Sequence, residues 1–207
     1  MSKIITQIAR FFSALFSPLL CGTYAVMLSM WLSFLIYSPV RAKLIVLLVT
    51  FIATCVLPVL VIFLLWKLGV VGDPALNNRR DRRVPYCVAV AGYVGVAIYL
   101  TMVHAPAWLS MLVAGGALSL VVLSVVNIWW KMSGHATAVG GLCAVVLFML
   151  LGGLGYADLR TEFLCAVLVA GLVCTSRLVL GRHTLGQVAA GFVTGLVCTM
   201  ALPMLFD

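Results

Sequence analysis

Apolar runs about twenty residues long make up most of the chain, and short polar segments separate them. An α-helix needs about 20 apolar residues to cross the hydrocarbon core of a bilayer. The 207 residues are 65% hydrophobic and only 9% charged, whereas soluble domains have about 45–50% apolar and about 25% charged residues. We therefore predict an all-α fold, a polytopic transmembrane helical bundle with six to seven spans.

The positions of these runs predict a single integral-membrane domain over residues 1–207. The predicted spans are residues 18–37, 43–68, 86–103, 108–130, 135–155, 163–180 and 184–206. Pro58 lies inside the second span, where a proline removes a helix hydrogen bond and so predicts a kink. The seven cysteines form no Cys-x-x-Cys pair, so neither a disulfide framework nor a zinc site is indicated.

Residues 1–17 show a weak amphipathic pattern. Ile8 and Phe11 fall near one face of a helix, and Lys3 and Arg10 lie off that face. The apolar run that follows is longer than the core of a cleavable signal peptide. We predict an interfacial segment on the membrane surface that leads into a retained first span.

Three polar segments interrupt the apolar runs. They are the arginine segment (77–85), the Ser-Gly-His segment (131–135) and the Arg-His segment (176–187). Two predicted spans separate the first segment from the second, and two more separate the second from the third. An even number of crossings returns the chain to the same side, so all three segments are expected at one face of the bundle.

The formal net charge is +8, and the basic residues are concentrated in these segments at the ends of spans. An aromatic-interleaved basic surface, which would indicate nucleic acid, is not seen in the sequence. Basic clusters beside spans are typical of contacts with anionic lipid headgroups. We therefore expect a phosphate ligand and the lipid bilayer as partners, and no nucleic acid.

The Ser-Gly-His segment has the features of an anion site at the start of a helix. Ser133 precedes an apolar run and is a favoured N-cap, and free N–H groups at such a terminus bind anions. Gly134 would let a ligand approach the backbone, and His135 could donate a proton to a leaving oxygen. The alternative is a capped helix followed by an interfacial histidine.

The Arg-His segment offers a cation and a nucleophile. The guanidinium fork of Arg177 suits phosphate oxygens, and a neutral His183 imidazole could attack phosphorus. Gln187 is one helical turn on, so its side-chain carbonyl could accept the other ring proton. The alternative for Gln187 is a capping box with Thr184, and interfacial flanking is the alternative for the arginines.

The arginine segment adds four guanidinium groups. Arg79 and Arg83 are one helical turn apart, and both are candidate phosphate ligands. The alternative is a basic juxtamembrane loop that touches acidic lipids.

Taken together, the three segments resemble the signature motifs of the type-2 phosphatidic acid phosphatase superfamily, which includes membrane lipid phosphatases and vanadium haloperoxidases. That family's pattern is Lys–six–Arg-Pro, then Pro-Ser-Gly-His, then Ser-Arg–five–His–three–Asp. Here the second motif reads Ser133-Gly134-His135, and the third has Ser176-Arg177, His183 and position 187 at the family spacing. The resemblance covers about residues 70 to 195.

The resemblance implies a phosphatidic acid phosphatase type 2-like core and a role for each motif position. His183 would form a phosphohistidine and His135 would protonate the leaving group. The phosphoryl oxygens would be held by Ser133, Gly134, Arg177 and Arg83.

Three departures from the family pattern are visible. Met132 replaces the proline. The first motif reads Arg83-Val84-Pro85 without a lysine at the family distance, so Arg79 is the expected substitute. Gln187 replaces the aspartate that orients the nucleophile, and losing such a carboxylate can cost orders of magnitude in a triad enzyme.

The expected activity is a metal-independent lipid phosphatase that needs no cofactor. It would hydrolyse a lipid phosphomonoester or diphosphate in a multi-pass protein of the bacterial inner membrane. The alternatives are a catalytically impaired relative that binds phosphorylated lipids, and a lipid phosphotransferase. A transporter is disfavoured, because the spans contain few polar residues at mid-membrane depth.

Overall fold

The computed structural model describes residues 3–72 and 80–206. Apart from one isolated bridge between Ser33 and Gly155, the regular structure in these residues is helical. The helices are α1 Lys3–Leu15, α2 Pro18–Leu32, α3 Val40–Phe51, α4 Leu57–Lys67, α5 Arg83–Met102, α6 Ala107–Val126, α7 Gly134–Leu151, α8 Arg160–Val179 and α9 Leu185–Phe206. The predicted all-α architecture is confirmed for this part of the chain.

Six helices are long and apolar enough to cross a membrane. Five of them are α5 to α9, and the sixth is the continuous 28-residue helix Val40–Lys67 that contains α3 and α4. The pair α1 and α2, bent by 58°, would provide a seventh span if counted as one. The predicted number of six to seven spans agrees with this count, and the fold is that of a multi-pass membrane protein.

The irregularity predicted at Pro58 takes the form of a π-helical turn, Ile52–Val56, just before the proline. A proline has no N–H for the helix ladder, and its ring clashes with the carbonyl four residues earlier. The wider turn relieves this conflict, and the Leu57 N–H donates to the Ile52 carbonyl five residues back. The span therefore continues through Pro58.

The centre of the bundle is α7, which packs against α9, α8 and α2. Helices α7 and α9 are in close contact at Gly195, where an added Cβ would overlap the Thr137 carbonyl. Small residues such as glycine let helix backbones approach in this way. The two helix starts are consequently side by side, and the Ser133 N–H donates to the Gln187 carbonyl at 3.2 Å. This contact joins the Ser-Gly-His segment to the Arg-His segment.

The N-terminal helix α1 packs along α8 and buries Ala9 and Ser13. Its apolar side chains point away from the bundle, and Ile8 and Phe11 are 52% and 62% exposed. An amphipathic helix with an exposed apolar face is suited to lie in the interface of a bilayer. The interfacial location of residues 1–17 stays a prediction, because α1 and α2 together also meet the length and composition of one bent span.

Candidate functional site

A cavity of about 270 Å³ lies among α2, α4, α5, α6, α7 and α8 and the short segments next to them. Each of the three polar segments contributes to its wall. The contributing residues are Arg82, Gly134, His135, Arg177 and His183. We call this space the cradle. It brings two imidazoles and two guanidinium groups to one volume at one end of the bundle.

His183 lies in the turn between α8 and α9 and is 8% exposed. Its Nδ1 is 3.3 Å from the Lys131 carbonyl oxygen. A carbonyl can only accept a hydrogen bond, so Nδ1 carries the proton and donates it to Lys131. In this tautomer Nε2 keeps its lone pair, which is the form that a nucleophilic imidazole requires.

The pKa of His183 is lowered to about 4. Burial is the main cause, since it disfavours the charged ring, and the nearby positive charge of Arg177 lowers the pKa further. The hydrogen bond to Lys131 acts in the opposite direction but is weaker. The imidazole is therefore neutral at physiological pH.

His135 is held by the N-terminal helix. Its Nε2 lies 3.0 Å from the carbonyl oxygen of Ser13 in the last turn of α1, so Nε2 carries a proton and donates it. Only Nδ1 is left to exchange a proton with a ligand. This partner, 122 residues away in sequence, makes α1 part of the site.

The guanidinium of Arg177 projects from the last turn of α8, where a cation is favoured by the helix dipole. Its Nε is buried without a hydrogen-bond partner among the described residues. A buried donor without a partner is costly. Arg177 also lines the cradle, which places its positive charge next to any ligand bound there.

Positive charges are crowded around this cavity. The pKa of Lys131 is lowered by burial first, and then by the charges of Arg82, Arg182 and Arg177. Holding several cations close together costs electrostatic free energy, and an anion bound among them would offset this cost. The charge distribution thus favours an anionic ligand.

Among the described side chains of the arginine segment, Arg82 lines the cradle and the predicted Arg83 does not. Arg82 is 8% exposed, whereas Arg83 is exposed. Both arginines border a small neighbouring groove that includes Asn127, and a 3-10 turn, Arg80–Arg82, precedes α5. The predicted ligand Arg79 lies outside the described residues.

Tyr86 was not identified from the sequence. It lines the cradle, and its hydroxyl accepts a hydrogen bond from the Arg82 side chain. A Cβ at Gly134 would lie 3.2 Å from the Tyr86 hydroxyl oxygen, so this group also borders the start of α7. The sequence signal for Tyr86 is its spacing from Arg82, because residues one helical turn apart lie on the same face of a helix.

Ser133 makes the predicted N-cap contact of α7, and Gln187 makes a capping-box contact in place of the predicted contact with His183. The Ser133 hydroxyl is fully buried and, as the N-cap of α7, accepts from the Ala136 N–H. The Gln187 side-chain oxygen accepts from the Thr184 N–H, and the Thr184 hydroxyl accepts from the Gln187 N–H. This is the capping-box alternative. The orienting contact of His183 comes from the Lys131 carbonyl instead of Gln187.

The described residues contain no group of three or more His, Cys, Asp or Glu side chains that could hold a metal ion. Comparisons with protein-family models, curated proteins and solved structures found no match.

Proposed function

We propose that this protein is a lipid phosphatase of the bacterial inner membrane, with a core like that of the type-2 phosphatidic acid phosphatases. The observation that carries the proposal is the cradle, which collects His135, His183, Arg82 and Arg177 at the start of α7. Ser17, at the junction of α1 and α2, lines the cradle, so the site lies next to a helix that is suited to the bilayer interface. The substrate is a phosphomonoester or diphosphate of a membrane lipid.

In the first step, the lone pair on Nε2 of His183 attacks phosphorus. The substrate binds as a phosphate monoanion and passes its proton to Nδ1 of His135. The bond from phosphorus to the lipid oxygen breaks, and His135 gives this proton to that oxygen. The products are a phosphohistidine, the dephosphorylated lipid and a neutral His135. Arg82 and Arg177 stabilise the charge on the phosphoryl oxygens in the transition state.

In the second step, water attacks the phosphohistidine. His135 takes the proton of the water, the P–N bond breaks, and inorganic phosphate leaves. His183 returns to its neutral form, and His135 passes the proton to the departing phosphate and is neutral again. An alcohol in place of water would give a phosphotransferase by the same chemistry.

One observation favours a second candidate, a protein that binds phosphorylated lipids with little turnover. The partner of His183 Nδ1 is a backbone carbonyl, which can orient the ring but carries no negative charge to stabilise an imidazolium. Such a site would bind the phosphate and attack it slowly.

The test is phosphate release in lipid nanodiscs from phosphatidic acid, phosphatidylglycerophosphate and an isoprenyl diphosphate. The variant is His183→Asn, and the matched control is His104→Asn. His104 is a histidine in the turn between α5 and α6 with a positive φ of 55°, a conformation that asparagine tolerates.

We expect release by the parent and by His104→Asn, and loss of about a thousandfold or more in His183→Asn, since triad enzymes that lose a member fall by similar factors. Equal release by both variants would exclude the proposed nucleophile. Saturable binding of the lipids without release by the parent would favour the binding protein.

A further inference from the structure

A second large cavity, of about 300 Å³, lies between α2 and α8. We call it the flank groove. Its floor is α7, against which both α2 and α8 pack, and these two helices make little contact with each other. Its lining residues differ from those of the cradle. Met27 on one wall and Cys165 on the other are exposed, so the flank groove opens to the surroundings of the bundle.

The flank groove covers the depth of one leaflet. Helix α8 has 20 residues and is therefore about 30 Å long, which matches the hydrocarbon core of a bilayer. Its part of the lining runs from Glu162 to Val169, that is, from near the start of the helix to its middle. On α2 the lining runs from Tyr24 to Leu32, which is about 12 Å. An acyl chain covers the same depth, from the membrane surface to the bilayer centre.

The width of the flank groove distinguishes between possible occupants. A volume of about 300 Å³ over a length of about 12 Å gives a mean cross-section of about 25 Å². An α-helix is about 10 Å across and would need about 80 Å². The carbon atoms of a hydrocarbon chain pack at about 4 Å from their neighbours. The space is therefore too narrow for a helix of another protein and wide enough for one hydrocarbon chain.

The inner end of the flank groove is closed by two aromatic rings. The ring centroids of Phe16 and Tyr24 are 6.0 Å apart in an edge-to-face arrangement, and the Tyr24 hydroxyl donates to the Leu15 carbonyl at 3.1 Å. Leu15 is the last residue of α1, and Ser13, the partner of His135, lies two residues earlier. A chain that fills the flank groove therefore ends beside the segment of α1 that holds His135.

The outer end of the flank groove has a carboxylate. Glu162 lies in the first turn of α8, where the helix dipole favours a negative charge. Side chains tilt towards the start of their helix, which here is the membrane surface. The Glu162 carboxylate has no ion pair within the described residues, and its Oε2 is buried without a hydrogen-bond partner among them. A cationic headgroup would complement this charge.

We propose that the flank groove binds one acyl chain of a phospholipid whose headgroup carries an ammonium ion, with the ammonium next to Glu162. The lipid belongs to the leaflet opposite the cradle, because α8 begins at the end of the bundle where α7 finishes and α7 begins at the cradle. This site is separate from the cradle and does not depend on the proposed activity.

The first test is photo-cross-linking of the full chain in nanodiscs of phosphatidylethanolamine and phosphatidylglycerol in equal amounts. One lipid at a time carries a diazirine at its chain end, and the adducts are mapped by mass spectrometry. We expect phosphatidylethanolamine adducts at Phe16 and Tyr24 to exceed those of phosphatidylglycerol about tenfold, the effect of one hydrogen bond to a charged group. Equal labelling by the two lipids, or labelling only at outward positions such as Leu168, would overturn the inference.

The second test removes the charge at the outer end. Glu162→Gln keeps the size of the side chain, and we expect it to abolish the preference for phosphatidylethanolamine. The matched control is Asp158→Asn, which removes an exposed carboxylate just before α8 and should keep the preference. The inference fails if both variants show the same preference.

The third test fills the space. Ala166 lines the flank groove, and Ala166→Phe is expected to remove the adducts at Phe16 and Tyr24. The control Leu168→Phe, at a position of the same helix that is 68% exposed, should retain them. If Ala166→Phe does not fold, the adduct map of the parent still decides. Cross-linked dimers through the flank groove in place of lipid adducts would identify a second copy as the occupant and overturn the inference.

Discussion

The proposed reactivity of His183 depends first on its burial and then on the charges that surround it. Its lowered pKa, about 4, means that the ring loses its nucleophilic lone pair only when the pH falls below that value. The acid limb of kcat/KM, which reports ionisations of the free enzyme, is therefore expected near pH 4. A histidine with an unperturbed pKa would place the acid limb at about pH 6.5.

Replacing Arg177 should move this limb. The charge of Arg177 lowers the pKa of His183, so Arg177→Gln is expected to raise the pKa and shift the acid limb to higher pH, in addition to weakening phosphate binding. The measurement is the pH profile of kcat/KM for the variant and for Arg160→Gln. Arg160 is exposed and paired with Asp158, so its replacement should leave the limb in place. An unmoved limb in Arg177→Gln would contradict the electrostatic argument.

Substitutions of Gln187 distinguish a structural role of this residue from a catalytic one. Its side chain closes the capping box at the start of α9, so Gln187→Ala is expected to destabilise the protein by about 1 kcal/mol with little change in kcat. Gln187→Glu should keep the stability, because glutamate fits the same position of the box. Thermal unfolding and phosphate release measure the two effects. A fall of kcat by orders of magnitude in Gln187→Ala would show that Gln187, and not the Lys131 carbonyl alone, orients His183.

Among the helices, α1 connects the membrane surface to His135, the proposed general acid. Its Ser13 carbonyl holds His135, and Ala9, one turn earlier, is buried where α1 packs against α8. The exposed apolar face of the helix would bury itself in the bilayer interface. The position of His135 should therefore depend on how α1 packs against α8 and the bilayer.

Ala9→Leu is expected to push α1 away from α8 and weaken the contact between Ser13 and His135. We expect kcat to fall by about tenfold or more, as when a contact that positions a reacting group is lost, with a smaller change in KM. The control is Ala14→Leu, at an exposed position of the same helix, which should retain parent kinetics. If both variants behave alike, α1 has no part in catalysis.

At the scale of the whole molecule, the sequence predicts the spans and the shared face well. Apolar runs show where helices must lie, and counting crossings places the polar segments together. The position of Arg82 in the cradle wall is not predictable from the sequence, because it depends on the local conformation where a 3-10 turn passes into α5. The partners of His135 and His183 are backbone carbonyls of Ser13 and Lys131, and every residue type provides such a carbonyl.

The shared face can be tested without any assumption about chemistry. Trp129 and Gly181 lie in turns at the cradle end of the bundle, and His104 and Tyr156 lie in turns at the other end. Single cysteines at these positions, in a cysteine-free background, are labelled with a membrane-impermeant maleimide in sealed vesicles. We expect positions 129 and 181 to react from one side and positions 104 and 156 from the other. Labelling of 129 and 181 from opposite sides would separate the polar segments, and no common phosphate site could then exist.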